Sequence, residues 1–149
     1  MKRDLSMSFV RVERLRAPRP VDGRECGPCT VCCTVMAVTE LRKPSRRACD
    51  HVTYEGCRIH AERPESCRAF DCLWLRGAIA DESMRPDLSG VMLDHFVLRG
   101  TSESHTVAFE LWSGAFDAPE VRALLEELGV LHPVARSLRD GAWVLPDEG

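Results

Sequence analysis

All eight cysteines of this 149-residue chain fall between residues 26 and 72, and no other feature limits the possible folds so severely. So dense a set of thiols closes disulfides, holds metal or does redox chemistry; inert packing does not account for four of them in "CGPCTVCC". Compartment separates these options. The N-terminal "KRDLSMSFVRVERLRAPRP" has no apolar run long enough for a signal-peptide core, and nowhere is there a stretch of ~18 apolar residues for a membrane span. The chain therefore reads as soluble, unexported and cytoplasmic, where metal is favoured over a disulfide framework. Only export by a non-standard route would restore the disulfides.

Spacing points the same way. Cys26-x2-Cys29-x2-Cys32 repeats a three-residue step that brings successive sulfurs to one side of a turn or helix start, and Cys33 lies four residues from Cys29. Gly27-Pro28 breaks regular structure between the first two thiols. Adjacent Cys32 and Cys33 should diverge by roughly 100° in a helix, so one of them is available to a second metal or to a bridge. Downstream come Cys49, Cys57, Cys67 and Cys72, with Tyr54-Glu55-Gly56 as a turn before Cys57 and Pro64 suited to a first helical turn. Cys67 is then expected near a helix start, where amides and the macrodipole stabilise a thiolate. A four-thiolate site around one divalent metal keeps a charge of about −2. Arg58, Arg63, Arg68 and Arg76 are placed in sequence to meet it.

These residues carry a family resemblance. "CGPCTVCC" followed by "GCRIHAERPESCRAFDCLW", with "RPDLSGVML" beyond it, resembles the YkgJ-type CxxCxxCC cysteine-cluster proteins, a family described as chelating zinc or iron. The resemblance covers about residues 26 to 76. It implies metal or iron–sulfur binding at Cys26, Cys29, Cys32, Cys33, Cys49, Cys57, Cys67 and Cys72. A similar cysteine pattern occurs in flagellin lysine methylases, and that likeness implies an iron–sulfur enzyme of protein modification. His60 stands where such sequences commonly have tyrosine, so the resemblance does not make it a ligand.

His51 and His60 lie close enough to Cys49 and Cys57 in sequence to join a mixed zinc site, but eight thiols already fill two tetrahedral shells. Two zinc sites would use every cysteine, whereas one [4Fe-4S] cluster would use four; the C-x2-C-x2-C run is ferredoxin-like, but the adjacent fourth cysteine is not. The cofactor reading is thus zinc or iron, including an iron–sulfur cluster, with its identity open. A metal-held thiolate is a poor nucleophile, which disfavours cysteine catalysis with a histidine base. Phosphate-loop, dinucleotide-binding, zinc-protease and serine-hydrolase motifs are absent.

Charge is uneven: residues 1–23 hold six basic and three acidic side chains, residues 24–76 nine and seven, and residues 77–149 five and thirteen. With a net charge of −3 there is no general case for nucleic-acid binding. The basic arm, in which Arg and Glu interleave without aromatics, reads as a solvated edge strand or extended lead-in.

The remainder reads as scaffold. "GVMLDHFVLRG" and "HTVAFELWSG", separated by "TSES", predict an antiparallel hairpin. "APEVRALLEELG" predicts an amphipathic helix from Pro119, ending at Gly129, and "DGAWVL" a turn into a last short strand. Trp74, Trp112 and Trp143 are expected in the core, and Asp94, Glu103 and Glu110 on solvated faces. His95, His105 and His132 are assigned nothing.

The expected whole is one small α+β domain, residues 1–149. A cysteine-rich helical and loop metal-binding region, residues 24–76, packs on a small antiparallel sheet with a C-terminal helix, residues 77–149. Its expected function is metal-ion binding. The alternatives are an iron–sulfur-dependent enzyme and a zinc-stabilised interaction module with a protein partner.

Overall fold

The computed structural model describes residues 9–11, 24, 29–68 and 72–146. Along the chain these form strand β1 (Phe9–Arg11), helix α1 (Val31–Val35), strands β2 (Val52–Thr53) and β3 (Gly56–Cys57) and the short helices α2 (Glu65–Arg68) and α3 (Pro86–Ser89). The long strands β4 (Val91–Leu98) and β5 (Ser104–Glu110), helix α4 (Pro119–Leu131) and strands β6 (Val134–Ser137) and β7 (Trp143–Val144) follow. Five strands make one sheet in the order β1-β4-β5-β6-β7, and β2 and β3 pair separately. The chain is a small α+β domain, as its patterning predicts. Its main sheet is mixed, however, because β5 and β6 run parallel, with Thr106 opposite Val134 and Phe109 opposite Ser137. Helix α4 is the reason: it returns the chain to the start of β5, so the next strand is laid down in the same direction.

Both faces of the sheet are covered, which residue parity makes visible. Val91 and Leu93 of β4 share one face with Ala108 of β5, and this face is buried under Val121 of α4 and the segment from Leu73 to Met84. Met92, Phe96, Val107 and Phe109 point the other way and meet Val31 and Val35 of α1. The cysteine-bearing helix thus owes its position to two valines flanking its thiols. At barely more than one turn, α1 is too short to be stable without that burial.

Strand β1 pairs with the end of β4, from Phe96 to Leu98, and stands at the edge of the sheet among the described residues; the rest of the basic arm, expected as a solvated edge strand or extended lead-in, lies outside them. Along the earlier part of β4 the edge is met instead by the segment after Cys72, where the Leu73 amide donates to the Leu93 carbonyl at 2.9 Å. Cys72 consequently touches both apolar clusters. Leu73, Trp74 and Leu75 are core residues, so the expected boundary at residue 76 falls inside the packed core and does not divide two halves.

Several expectations are corrected by burial. Asp94 is fully buried and Glu110 nearly so; neither lies on a solvated face, whereas Glu103 is exposed. Asp94 pairs with the buried Arg76 at 3.2 Å, and the Glu110 carboxylate accepts from the Arg139 amide at 2.9 Å. Trp74 is in the core and Trp143 packs edge-on against Phe109, but Trp112 remains 45% exposed. Trp112 covers Gly90, where a Cβ would come within 2.6 Å of its ring. Helix α4 starts at Pro119 as expected and runs through Gly129 to Leu131, because Pro133, not the glycine, ends the helical stretch. No helix among the described residues is long and apolar enough to cross a membrane.

Candidate functional site

The cysteines sit on segments with little regular structure, so other contacts must hold them. Cys29 precedes α1, Cys32 and Cys33 lie within it, Cys49 lies in the following loop, Cys57 ends β3 and Cys67 lies in α2. The seven described cysteines are reduced thiols and all are half-buried; Cys26 and Gly27-Pro28 lie outside the described residues. Backbone bonds tie the segments together. The Cys49 amide donates to the Cys33 carbonyl at 3.0 Å, and the Arg58 amide to the His51 carbonyl at 2.8 Å. The hairpin of β2 and β3 turns through Tyr54 and Glu55, as predicted, with the Thr53 hydroxyl donating to the Gly56 carbonyl.

The thiols share their electrostatic surroundings with a residue that the cysteine spacing did not reveal. Lys43 is almost fully buried, and its ammonium donates to the carbonyls of Thr34, Met36 and Pro44. Its backbone bridges that of Val38 in both directions at 3.0 Å. Burial lowers the Lys43 pKa, while Cys33, Cys49, Cys32 and Cys67, in that order, act to raise it. Four thiols from three separate segments therefore lie within the field of one ammonium. The sequence signal was "LRKPSRRAC", a basic run ahead of Cys49 that is informative only once α1 is known to fold back onto it.

The electrostatics differ from one thiol to the next. Cys33 is lowered to about 7, first by a hydrogen bond from the Cys32 thiol and then, against the effect of burial, by Lys43 and Arg63. The two adjacent thiols were expected to diverge, leaving one available to a second metal or to a bridge; Cys32 nonetheless acts on Cys33 as a hydrogen-bond partner. Cys67 is raised, chiefly by burial and by the charge on Cys33, with Arg63 opposing. A helix of four residues has too small a macrodipole to reverse that, which corrects the expectation of a stabilised Cys67 thiolate.

Of the arginines assigned to the thiols, Arg63 acts on Cys33 and Cys67, and the Arg68 side chain lies outside the described residues. Arg76 is spent on Asp94, and Arg58 reaches the Asp50 carbonyl and the His51 ring. Arg85 lies within the field of Cys29, although its main partner is Asp87. His51 is half-buried beside Arg58, and His60 is exposed at the start of a 3-10 turn. Two other arginines, not singled out by sequence, tie segments together, one to the run after Leu73 and one to the sheet. Arg24 donates to the carbonyls of Trp74, Ile79 and Ala80 and lies over the Trp74 ring at 4.5 Å. Arg46 donates to the Glu110 carbonyl and to the carbonyl and hydroxyl of Ser137.

Among the described residues, no three His, Cys, Asp or Glu side chains already stand at metal-holding separation. The described donors are soft sulfurs: seven free thiols, of which Cys33 is acidified by Cys32, Lys43 and Arg63. Cys32, Cys33, Cys49 and Cys67 each feel the charge of Lys43, while Cys29 and Cys72, with Cys32, border the α1 face of the sheet. The chain matches no protein-family model, and neither a curated protein nor a solved structure shows significant similarity to it.

Proposed function

We propose that this protein binds zinc or iron, the latter as the ion or within an iron–sulfur cluster, through thiolates of its cysteine-rich segment. The observation that carries the reading is the density of half-buried thiols without a disulfide among the described residues, with the buried ammonium of Lys43 in electrostatic reach of four of them. Thiols serving only as small apolar core residues have no need of a buried cation, whose desolvation is itself unfavourable. Thiolates bound to a divalent metal do have that need, since four of them leave about −2 to be offset.

The ligand set is drawn from Cys26, Cys29, Cys32, Cys33, Cys49, Cys57, Cys67 and Cys72, with the four in electrostatic reach of Lys43 foremost. Lys43 and Arg63 temper the charge, and the Cys49 amide bond to Cys33 keeps two donor segments in register. A bound metal would supply a cross-link between loops or, as an iron–sulfur cluster, electron transfer or an open iron position. Because such a site closes only when metal arrives, approximate grouping of donors in the bare chain is what the reading requires. The sequence resemblance to YkgJ-type proteins supports it, and thiols kept for metal suit a reducing compartment such as the cytoplasm.

Anaerobic purification followed by elemental analysis and a visible spectrum of the same sample tests the reading. Stoichiometric zinc in a colourless protein is the expected result for a structural or interaction role. Brown protein with matched iron and acid-labile sulfide is expected for the enzyme alternative. Protein that carries neither metal and takes up neither on anaerobic reconstitution refutes the proposal.

A further inference from the structure

We propose that the loop following Val38 builds a second site beside the thiols, one for a small dianionic oxyanion of phosphate size, whose existence does not depend on a metal. A cavity of about 210 Å³ lies against this loop, bordered by Arg42, Lys43, Arg47, Cys49, Asp50 and His51. It is smaller than the roughly 300–1,000 Å³ typical of drug-sized ligands, so it suits a few heavy atoms or the charged end of a larger molecule.

Its charge sets the sign of the ligand. Three permanent cations border the cavity against one carboxylate. Lys43 contributes field and not contact, because its ammonium already donates to three carbonyls. Arg42 and Arg47 are exposed, and neither guanidinium has an ion-pair or hydrogen-bond partner among the described residues. Nor are they counter-ions to the acidified thiol, since Cys33 draws on Lys43 and Arg63. A guanidinium presents a planar fork of donors that matches two oxygens of a phosphate, and two such forks suit a dianion better than a single carboxylate.

The loop is held in shape before any ligand arrives. Arg42 and Arg46 adopt left-handed backbone conformations, with φ of 53° and 64°, which side chains with a Cβ rarely adopt without support from their surroundings. The support is visible: the Val38–Lys43 bridge closes the first turn, and the Arg46 guanidinium fixes the second to Glu110 and Ser137 on the sheet. The backbone of the rim is thus pre-organised, and what a ligand has to order is the two guanidinium side chains.

Calorimetric titration of the purified full-length protein with inorganic phosphate, at constant ionic strength, tests the proposal. Saturable one-to-one binding is expected. It should weaken at least tenfold in a variant combining Arg42→Gly, which keeps the left-handed backbone, with Arg47→Ala, and stay unchanged in Arg122→Ala on α4. A parallel titration with O-phosphoserine distinguishes sources: tighter binding than phosphate means the site takes the phosphoryl end of a larger molecule, equal or weaker binding the free ion. Circular dichroism confirms that the double variant is folded, and Arg47→Lys, which keeps the charge, should retain part of the affinity. Absence of saturable phosphate binding overturns the site, as does equal affinity in the double variant or equal loss in Arg122→Ala.

Discussion

A thiol in this cluster takes its character from its immediate neighbours more than from its place in the cysteine pattern. Cys33 is the acidic one because Cys32 donates to it, with Lys43 and Arg63 adding charge. In metal-free protein the pH profile of Cys33 alkylation by iodoacetamide, read by peptide mass spectrometry, should therefore have its midpoint near 7. Cys32→Ala should move that midpoint upward more than Lys43→Gln does; a wild-type midpoint in the ordinary thiol range would sink this account. The sign for stability follows from linkage. A thiol whose pKa is lower in the folded state stabilises the fold fully above its ordinary value of 9.0 and loses that contribution as pH falls through about 7. Metal-free wild type should accordingly gain thermal stability from pH 7 to 9 relative to Cys33→Ser. Arg76 and Asp94 pose the opposite case, a charge pair taken wholly out of water. Arg76→Met leaves the Asp94 carboxylate buried without its cation and should lower stability in urea unfolding by about 3 kcal/mol, while adding Asp94→Leu should restore much of the loss. Equal destabilisation by the single and double variants would show that the pair is not the source.

Elements whose own residues suffice to define them were legible in the sequence, and those defined by distant contacts were not. The hairpin of β4 and β5 announced itself through β-rich runs around a polar turn, and α4 through apolar spacing behind Pro119. What alternation alone could not show is that β4 would be covered on both sides, which placed Asp94 inside and not in water. The parallel pairing of β6 was equally hidden, since it depends on the path of α4 and not on the four residues of β6. In the site, the cysteines were legible as a set, but Lys43 and the clamp arginines act over contacts that only the fold creates. Arg46 is the clearest instance, because it joins the loop ahead of Cys49 to residues 64 and 91 positions further along the chain. Arg46→Ala should raise amide hydrogen exchange from Lys43 to Cys49 by tenfold or more, corresponding to about 1.4 kcal/mol of lost local stability. The strands β4 and β5 should stay protected; no change in the loop would mean that its other contacts hold it unaided.

Taken as a whole, the molecule is a sheet that is stable through its own core, with a loop-rich thiol region fastened to one face and one edge. The fastening has three parts: Val31 and Val35 of α1 buried against the sheet, the arginine clamps, and the run from Leu73 to Leu75 built into the opposite face. A metal would be a fourth, joining segments that the other three leave only loosely connected to one another, such as the hairpin carrying Cys57 and the helix carrying Cys67. Removal of metal should therefore not unfold everything up to residue 76. The boundary belongs at Cys72, because the residues after it contribute to the main core whether or not their neighbour is a ligand. Hydrogen exchange before and after chelation under anaerobic, reducing conditions would locate that boundary. Faster exchange is expected from residues 29 to 68, centred on Cys49, Cys57 and Cys67, with protection retained from residues 72 to 79 and throughout β4, β5 and α4. Loss of protection across the sheet would mean that metal and core form a single cooperative unit. Unchanged exchange in the thiol region, with metal shown to be gone, would mean that the arginines and valines alone hold it. The sheet has a closed apolar core on each face and its own crossover helix, so the divided response is the one its packing favours.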